Sequence, residues 1–383
     1  MTAALLDDVS EFIGRFVIAT TDQLAAITLW AVHTHCFDSF DTSPRLAILS
    51  AEKGSGKTRT LEVLGLITAD AVHTGGSSAP YIFRRIELSP PTLLMDEVDA
   101  IFGAKTAEDN EPVRQILNMG YRVGATVGRC EGQGAKMRPK DFPVFAPVAL
   151  AAIGNLPDTV MDRSVIVRLK RNGSGERPGA YRHHRVAPIG EALRARIAAW
   201  TDEIREDLRE AEPEMPFDAS GARVEDRPAD TWGPLLAIAD AAGGDWPKRA
   251  RRACVALLAD EQDETGSEGQ QLLADIQNVF DAKGEDALSS ADLVENLKKG
   301  DESVWADLGY GRSLTPNGLA RILKRFGIHP HQMRDPGKWE RHVQGYARTD
   351  FLDTWDRYRP KGSAPATPRP YVLADLDVSN VPF

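Results

Sequence analysis

The spacing of apolar and polar positions changes period along the chain, and each change predicts a different kind of element. Near the start, Leu24, Ile27, Thr28 and Ala31 share one face of a helical repeat. Thr20-Thr21-Asp22-Gln23 just ahead of them has the spacing of a capping box, so a helix is predicted to begin there. From about residue 44 to 171 the pattern shifts to short apolar runs bounded by turn residues, at 46–50, 92–96, 148–153 and 164–169. Runs of this kind read as strands buried on both faces, and the helix-compatible stretches between them make the whole an α/β arrangement around a parallel sheet. Within it, two extended stretches around Gly132-Gln133-Gly134 predict a β-hairpin over 121–140. Helical periodicity returns over 188–258, including Leu235, Leu236, Ile238 and Ala239. It resumes at 271–280, 290–298 (capped near Ser289) and 316–326, followed by alternating, turn-rich sequence to Arg348.

These changes divide the chain into an N-terminal helical segment (1–43), an α/β core (44–187), a helical lid (188–259), an acidic linker (260–270), a C-terminal helical domain with a β-wing (271–359) and a Pro/Ser/Ala-rich tail (360–383) expected to be disordered. A chain of 383 residues, 42% hydrophobic, has room for two or three such cores. Cys36, Cys130 and Cys254 are too scattered for a disulfide framework or a metal quartet, which suits a reducing cytoplasm. The start lacks a basic, apolar leader and no run is long enough to span a bilayer, so neither secretion nor a membrane location is expected. His33 and His35 stand two apart on a predicted helix and point away from each other, which favours packing or capping over metal binding.

Candidate chemistry gathers at the ends of the predicted strands. Ala51-Glu52-Lys53-Gly54-Ser55-Gly56-Lys57-Thr58 follows the first apolar run and opens a helix-compatible segment, the strand–loop–helix context of a nucleotide phosphate loop. Here Lys53, Gly54, Ser55, Gly56, Lys57 and Thr58 would surround the phosphates; Lys57 would reach the outer oxygens and the Thr58 hydroxyl would ligate Mg²⁺. Ala51 replaces the glycine that usually opens such a loop. The second apolar run ends in Asp96-Glu97, carboxylates suited to holding Mg²⁺ (Asp96) and polarising the attacking water (Glu97). The third ends at Asn155, an amide able to bond that water or the terminal phosphate. Arg163 follows shortly after, either as a fixed positive fork offered to a neighbouring subunit or as the partner of Asp162 or Asp158. Together these imply binding and hydrolysis of ATP with Mg²⁺.

The net charge of −10 hides local basic stretches. Residues 120–140 carry Arg122, Arg129, Lys136, Arg138 and Lys140 against Glu131, and 308–334 carry Arg312, Arg321, Lys324, Arg325 and Arg334 with no acid. Lys136, Arg138 and Lys140 near the hairpin tip are candidates for single-stranded DNA, although the tip lacks the aromatic that such grooves usually offer. Arg321, Lys324 and Arg325 on the third C-terminal helix are candidates for duplex contact by a winged helix, with a protein-interaction domain as the alternative.

Taken in order, these motifs resemble AAA+ ATPases, and among them the superfamily 3 helicases of viruses and plasmids. Those share the short spacing from phosphate loop to acidic strand, a basic hairpin before the polar strand, and an Asn-containing motif like Gly154-Asn155-Leu156-Pro157. The chain also resembles an uncharacterised actinobacterial and phage family often found C-terminal to primase domains. That likeness rests on Trp30-Ala31-Val32-His33-Thr34-His35, the phosphate loop, Gly124-Ala125-Thr126-Val127, residues 156–164 and residues 227–235, and it extends from Leu6 to Pro360. The resemblance implies a homo-oligomeric, hexameric ring with Arg163 acting in trans and Arg227 as a second nucleotide sensor in the lid. It further implies work in phage or plasmid DNA replication beside a separate primase. The last residues, Asp375 to Phe383, resemble the acidic Pro-Phe tail of bacterial single-stranded DNA-binding proteins; an inert tail is the alternative. The expectation is therefore an ATP-driven DNA helicase or replication initiator. A loader that remodels a partner protein and a nucleotide-dependent DNA-binding regulator are the rivals.

Overall fold

The computed structural model describes residues 2–75, 77–102, 107–132, 137–171, 173, 175–218, 221–264, 268–299, 305, 313–335 and 338–358. Its contacts divide the chain into two compact units between Glu261 and Gln262.

The first unit begins with helices α1 (Thr2–Gly14) and α2 (Thr21–His33). The capping box ahead of α2 forms as expected. The Thr20 side chain accepts from the Gln23 backbone N–H at 3.2 Å, and the Gln23 side chain accepts from the Thr20 N–H at 3.0 Å. Then follow β1 (Arg45–Ser50), α3 (Lys57–Ile67), β2 (Ala71–His73), α4 (Ala79–Leu88), β3 (Thr92–Met95), α5 (Asp99–Phe102) and α6 (Ala107–Met119). Strands β4 (Thr126–Glu131) and β5 (Arg138–Pro143) form an antiparallel hairpin apart from the main sheet. After it come β6 (Val148–Ile153), α7 (Asp158–Met161), β7 (Ser164–Arg168), α8 (His183–Glu203), α9 (Arg205–Arg209), α10 (Asp226–Ala242) and α11 (Trp246–Glu264).

This unit is α/β, built on a parallel five-stranded sheet in the order β2-β3-β6-β1-β7 and flanked by helices. Strand β1 is buried along its whole length, as a central parallel strand must be. Its alternating side chains feed two cores. Leu46 and Ile48 join the core formed with α1, α2, α3, α8 and α10, and Ala47 and Leu49 face the one containing α4, α6 and the hairpin. The N-terminal helices and the lid helices therefore share a single core with one face of the sheet. Strand β2, three residues long and only half-buried, was not anticipated; too few residues carry its period.

The second unit comprises α12 (Glu268–Lys283), β8 (Ala287–Ser289), α13 (Ser290–Leu297), α14 (Pro316–Leu323), β9 (His331–Asp335), β10 (Lys338–Ala347) and α15 (Leu352–Tyr358). Its strands form an antiparallel sheet in the order β8-β10-β9. Ser289 caps α13 and Thr315 caps α14, each accepting from the backbone N–H three residues on. Phe280, Leu293, Leu319, Tyr346 and Phe351 meet in its core. The boundary between the units falls within the 260–270 segment expected as a linker; there α11 runs through Glu264 and α12 starts at Glu268, because Glu and Gln form helix readily and need no apolar face at a terminus. The 360–383 tail lies outside the described residues. Among the described residues no helix is long and apolar enough to cross a membrane.

Candidate functional site

In a parallel sheet every strand ends on the same edge, and here the carboxyl edge collects most of the candidates. Registers Leu49↔Ala152 and Leu49↔Arg168 bring the turns after β1, β6 and β7 side by side. Backbone hydrogen bonds lace them together: Gly154 N–H to Ser50 O at 2.9 Å, Leu169 N–H to Leu49 O at 2.8 Å, and Val98 N–H to Ala151 O at 3.0 Å.

The 51–56 turn passes into α3 through two glycines with positive φ, Gly54 at 81° and Gly56 at 90°. That backbone is strained for any residue with a Cβ, which accounts for glycine at both positions. Gly56 caps α3 with no side-chain acceptor, so the first N–H groups of the helix remain available to an anion, and the helix dipole favours one. Lys57 folds back over the turn; its Nζ lies 2.5 Å from Ser50 Oγ and 3.3 Å from the Glu52 carbonyl. The Thr58 hydroxyl donates to Asp96 Oδ2 at 2.7 Å. This contact joins the two motifs, which are 38 residues apart in sequence. Asp96 also accepts the Glu97 N–H at 2.9 Å, and Glu97 is held at φ 54°, an uncommon conformation for a side-chain-bearing residue that leaves its carboxylate exposed. Asn155 stands on the same edge, its Oδ1 accepting from Arg168 Nη1 at 2.9 Å. A hydroxyl and a carboxylate in contact are hard oxygen donors of the kind Mg²⁺ takes, so Thr58 and Asp96 fit a phosphate-bound Mg²⁺. Among the described residues no three His, Cys, Asp or Glu side chains converge as metal ligands, so such an ion would depend on phosphate oxygens as well.

Arg163 and Arg227 are elsewhere. Ser164 pairs with Arg45 at the start of β1, so Arg163 sits at the amino edge, the length of β1 (about 17 Å of strand) from the turn that follows β1. Its guanidinium lies 4.8 Å above the Tyr121 ring and donates to the Thr159 carbonyl. Arg227, at the start of α10, pairs with Asp162 on that same edge. Arg227, expected from the resemblance as a second sensor in the lid, thus stands at the amino edge, where the first turn of α10 packs against the residues before β7. Both arginines border clefts here, one of about 370 Å³ lined by Asp162, Asp226, Arg227 and Trp232. Beneath them Arg45 is fully buried, and among the described residues it pairs with no carboxylate. It donates to the carbonyls of Ala146 (2.6 Å), Ile116 (3.2 Å) and Leu117, capping the C-terminal end of α6. Burial and then the nearby Arg163 charge lower its pKa to about 9, still high enough to keep it charged at neutral pH.

On the hairpin, the Lys140 ammonium lies 3.1 Å from both Glu87 and Glu131. The hydrogen bond from Lys140 lowers the Glu131 pKa, and bonds to Glu131 and Glu87 raise that of Lys140. A lysine between two carboxylates from different elements is compensated locally, which the sequence around it could not reveal. Arg138 is exposed, and Lys136 lies outside the described residues. In the second unit Arg321 and Lys324 are exposed, and the Arg325 side chain lies outside the described residues. Of the remaining candidates, His33 is buried against Phe40 with ring centroids 5.6 Å apart, and His35 bonds the Ile67 carbonyl at 2.8 Å.

Two comparisons bear on relationship. An uncharacterised 28.9 kDa protein in the xis 5′ region of Saccharopolyspora erythraea is 39% identical over 194 residues, covering 50% of this chain and 69% of that protein. The chain belongs to that protein's family. A family described as a protein of unknown function (DUF3631) matches residues 168–358, a stretch that starts after the 51–58 turn and Asp96-Glu97. Two apo structures of the NrS-1 C-terminal region align over 89% of this chain and 75% of theirs, at 10% and 9% identity with TM-scores of 0.39 and 0.40. Those scores are too low for the likeness to bear on function.

Sequence reasoning passed over Glu52, Arg168 and Arg171 at the carboxyl edge and Tyr121 at the amino edge. Arg168-Leu169-Lys170-Arg171, basic residues directly after a strand candidate, was the one available signal.

Proposed function

We propose that the chain is an ATP-hydrolysing AAA+ motor that assembles as a homo-oligomeric ring and acts on DNA, as a replicative helicase or initiator. The contact of Thr58 with Asp96 carries this reading, because it joins a glycine-cornered turn at a helix N-terminus to an acidic strand end, the two halves of a nucleoside triphosphate site. The strand order supports it, since β6 with Asn155 lies between the phosphate-loop strand and the acidic strand.

In this site the backbone N–H groups at the start of α3 and Lys57 bind phosphate oxygens. Thr58 and Asp96 would hold Mg²⁺, which when bound supplies charge neutralisation on the outer phosphates. Glu97 orients a water and accepts its proton, and Asn155 fixes that water's position. Arg163, away from its own loop, suits the site of a neighbouring copy, where a planar, permanently charged fork stabilises transition-state charge. Arg227 beside it makes the same edge the subunit contact. In the second unit the order helix, strand, two helices and two-stranded wing suits a winged helix, with Arg321 and Lys324 available to phosphate backbone.

The test is ATP turnover and fork unwinding, with and without single-stranded DNA, for the wild type, Lys57→Ala and Arg138→Ala. Turnover lost in Lys57→Ala and stimulated by DNA, together with strand separation, is the expected result. No turnover under any condition overturns the enzyme reading. Pairing of Lys140 with Glu87 and Glu131 reduces the free charge of the hairpin and favours a second reading, a loader of a partner protein. Turnover without unwinding would select it.

A further inference from the structure

Three residues past the end of β7, Arg171 reaches across to the phosphate loop. Because β7 borders β1 in parallel, the chain leaving β7 runs beside the turn leaving β1. Arg171 Nη1 lies 3.3 Å from Glu52 Oε2. A Cβ placed on Gly54 would stand 4.0 Å from both Arg171 Nε and Nη2, so the guanidinium faces the loop where it turns through positive φ, across a gap about the width of a methyl group. Glu52 meets two cations at once, one from the loop and one from the chain leaving β7: its carbonyl accepts from Lys57 at 3.3 Å and its carboxylate pairs with Arg171.

That pair is two-thirds exposed on both sides, so it holds weakly. A polyphosphate offers a guanidinium more charge and a bidentate partner, and it outcompetes a single exposed carboxylate. We propose that Arg171 is a phosphate-binding residue of the nucleotide site, and that Glu52 is the competing anion it exchanges for phosphate when nucleoside triphosphate enters. The inference rests on the nucleotide-site reading above. Arg171 supplies a second cation beside Lys57, brought in by the chain leaving β7, and the negative charge of Glu52 sets the threshold affinity.

The test measures dissociation constants of mant-ATP and mant-ADP with Mg²⁺ for the wild type, Lys57→Ala, Arg171→Ala, Arg171→Lys, Glu52→Gln and the Glu52→Gln/Arg171→Ala double variant. Arg171→Ala weakens mant-ATP by about tenfold or more, and Arg171→Lys recovers part of the loss, as expected for a charge-assisted contact. Glu52→Gln tightens binding by about two- to fivefold, and that gain disappears once Arg171 is absent. Wild-type affinity in Arg171→Ala, with only a lower melting temperature, would mean a bracing role and overturn the inference. So would a Glu52→Gln gain that persists unchanged in the double variant, which would trace it to bulk charge alone. Wild-type protein that binds mant-ATP no better than Lys57→Ala overturns the nucleotide-site reading and this inference with it. Normal wild-type binding with an indifferent Arg171 overturns only the inference.

Discussion

His33 should make the first unit acid-sensitive by a calculable amount. Its imidazole is fully buried in α2 against Phe40, neither ring nitrogen has a hydrogen-bond partner among the described residues, and burial followed by the neighbouring His35 pushes its pKa down to about 3. In the unfolded chain the same ring titrates near its ordinary value of about 6.5. Between those values the unfolded state takes up a proton that the folded state refuses, so stability falls as pH drops below about 6.5. At about pH 5 the ring then withdraws roughly 2 kcal/mol, against a few tenths at most at about pH 7.5. The perturbation is His33→Phe, which keeps a ring in the same packing and removes the titration. Urea unfolding of the full chain at the two pH values, with the transition of each unit fitted separately, gives the change for wild type and variant. Carboxylate titrations are common to both and cancel, as does any uniform offset from repacking. The wild type should lose about 2 kcal/mol more than the variant on acidification. Equal losses, within about 0.5 kcal/mol, would show that His33 is protonated or hydrated in the folded state and refute the argument.

Arg163→Ala should lower ATP turnover by about a hundredfold or more while nucleotide binding is spared, and mixing it with Glu97→Gln subunits should restore some activity. Mixtures as inactive as either parent would count against action in trans. Arg45→Met removes the buried donor to the carbonyls of Ala146 and Leu117, while Ile116 keeps the Gly120 N–H; a loss of about 2–3 kcal/mol in chemical denaturation is expected, with faster amide exchange at the end of α6. Unchanged stability would mean that water replaces the guanidinium. Gly120→Ala places a methyl 2.0 Å from the Val144 carbonyl, where the chain leaving β5 crosses the end of α6. A backbone shift must follow, and the melting temperature should fall by several degrees for a loss of about 1–3 kcal/mol.

Much of the carboxyl edge was legible because its signals are local. Glycines at 54 and 56 state a backbone conformation, Lys57 and Thr58 follow within one turn, and Asp96-Glu97 end a run too apolar to be anything but buried. The capping box at Thr20 and Gln23 needed only its own four residues. Short strands such as β2 and β8 were missed because three residues do not establish a period.

Side-chain partners were another matter. Lys140 reads as a free basic residue until β5 lies beside β4 and α4, and Arg227 reads as a lid arginine until α10 meets Asp162. Glu52 and Arg171 are 119 residues apart in sequence and meet only because β7 pairs with β1. The sequence by itself determined which longer segments become strands and helices and which turn bends through glycines into a helix, since propensity, period and glycine conformation act over a few residues. Only the tertiary structure decided which charges face each other, because ion pairing depends on distance in space, and the order and register of the sheet set that distance.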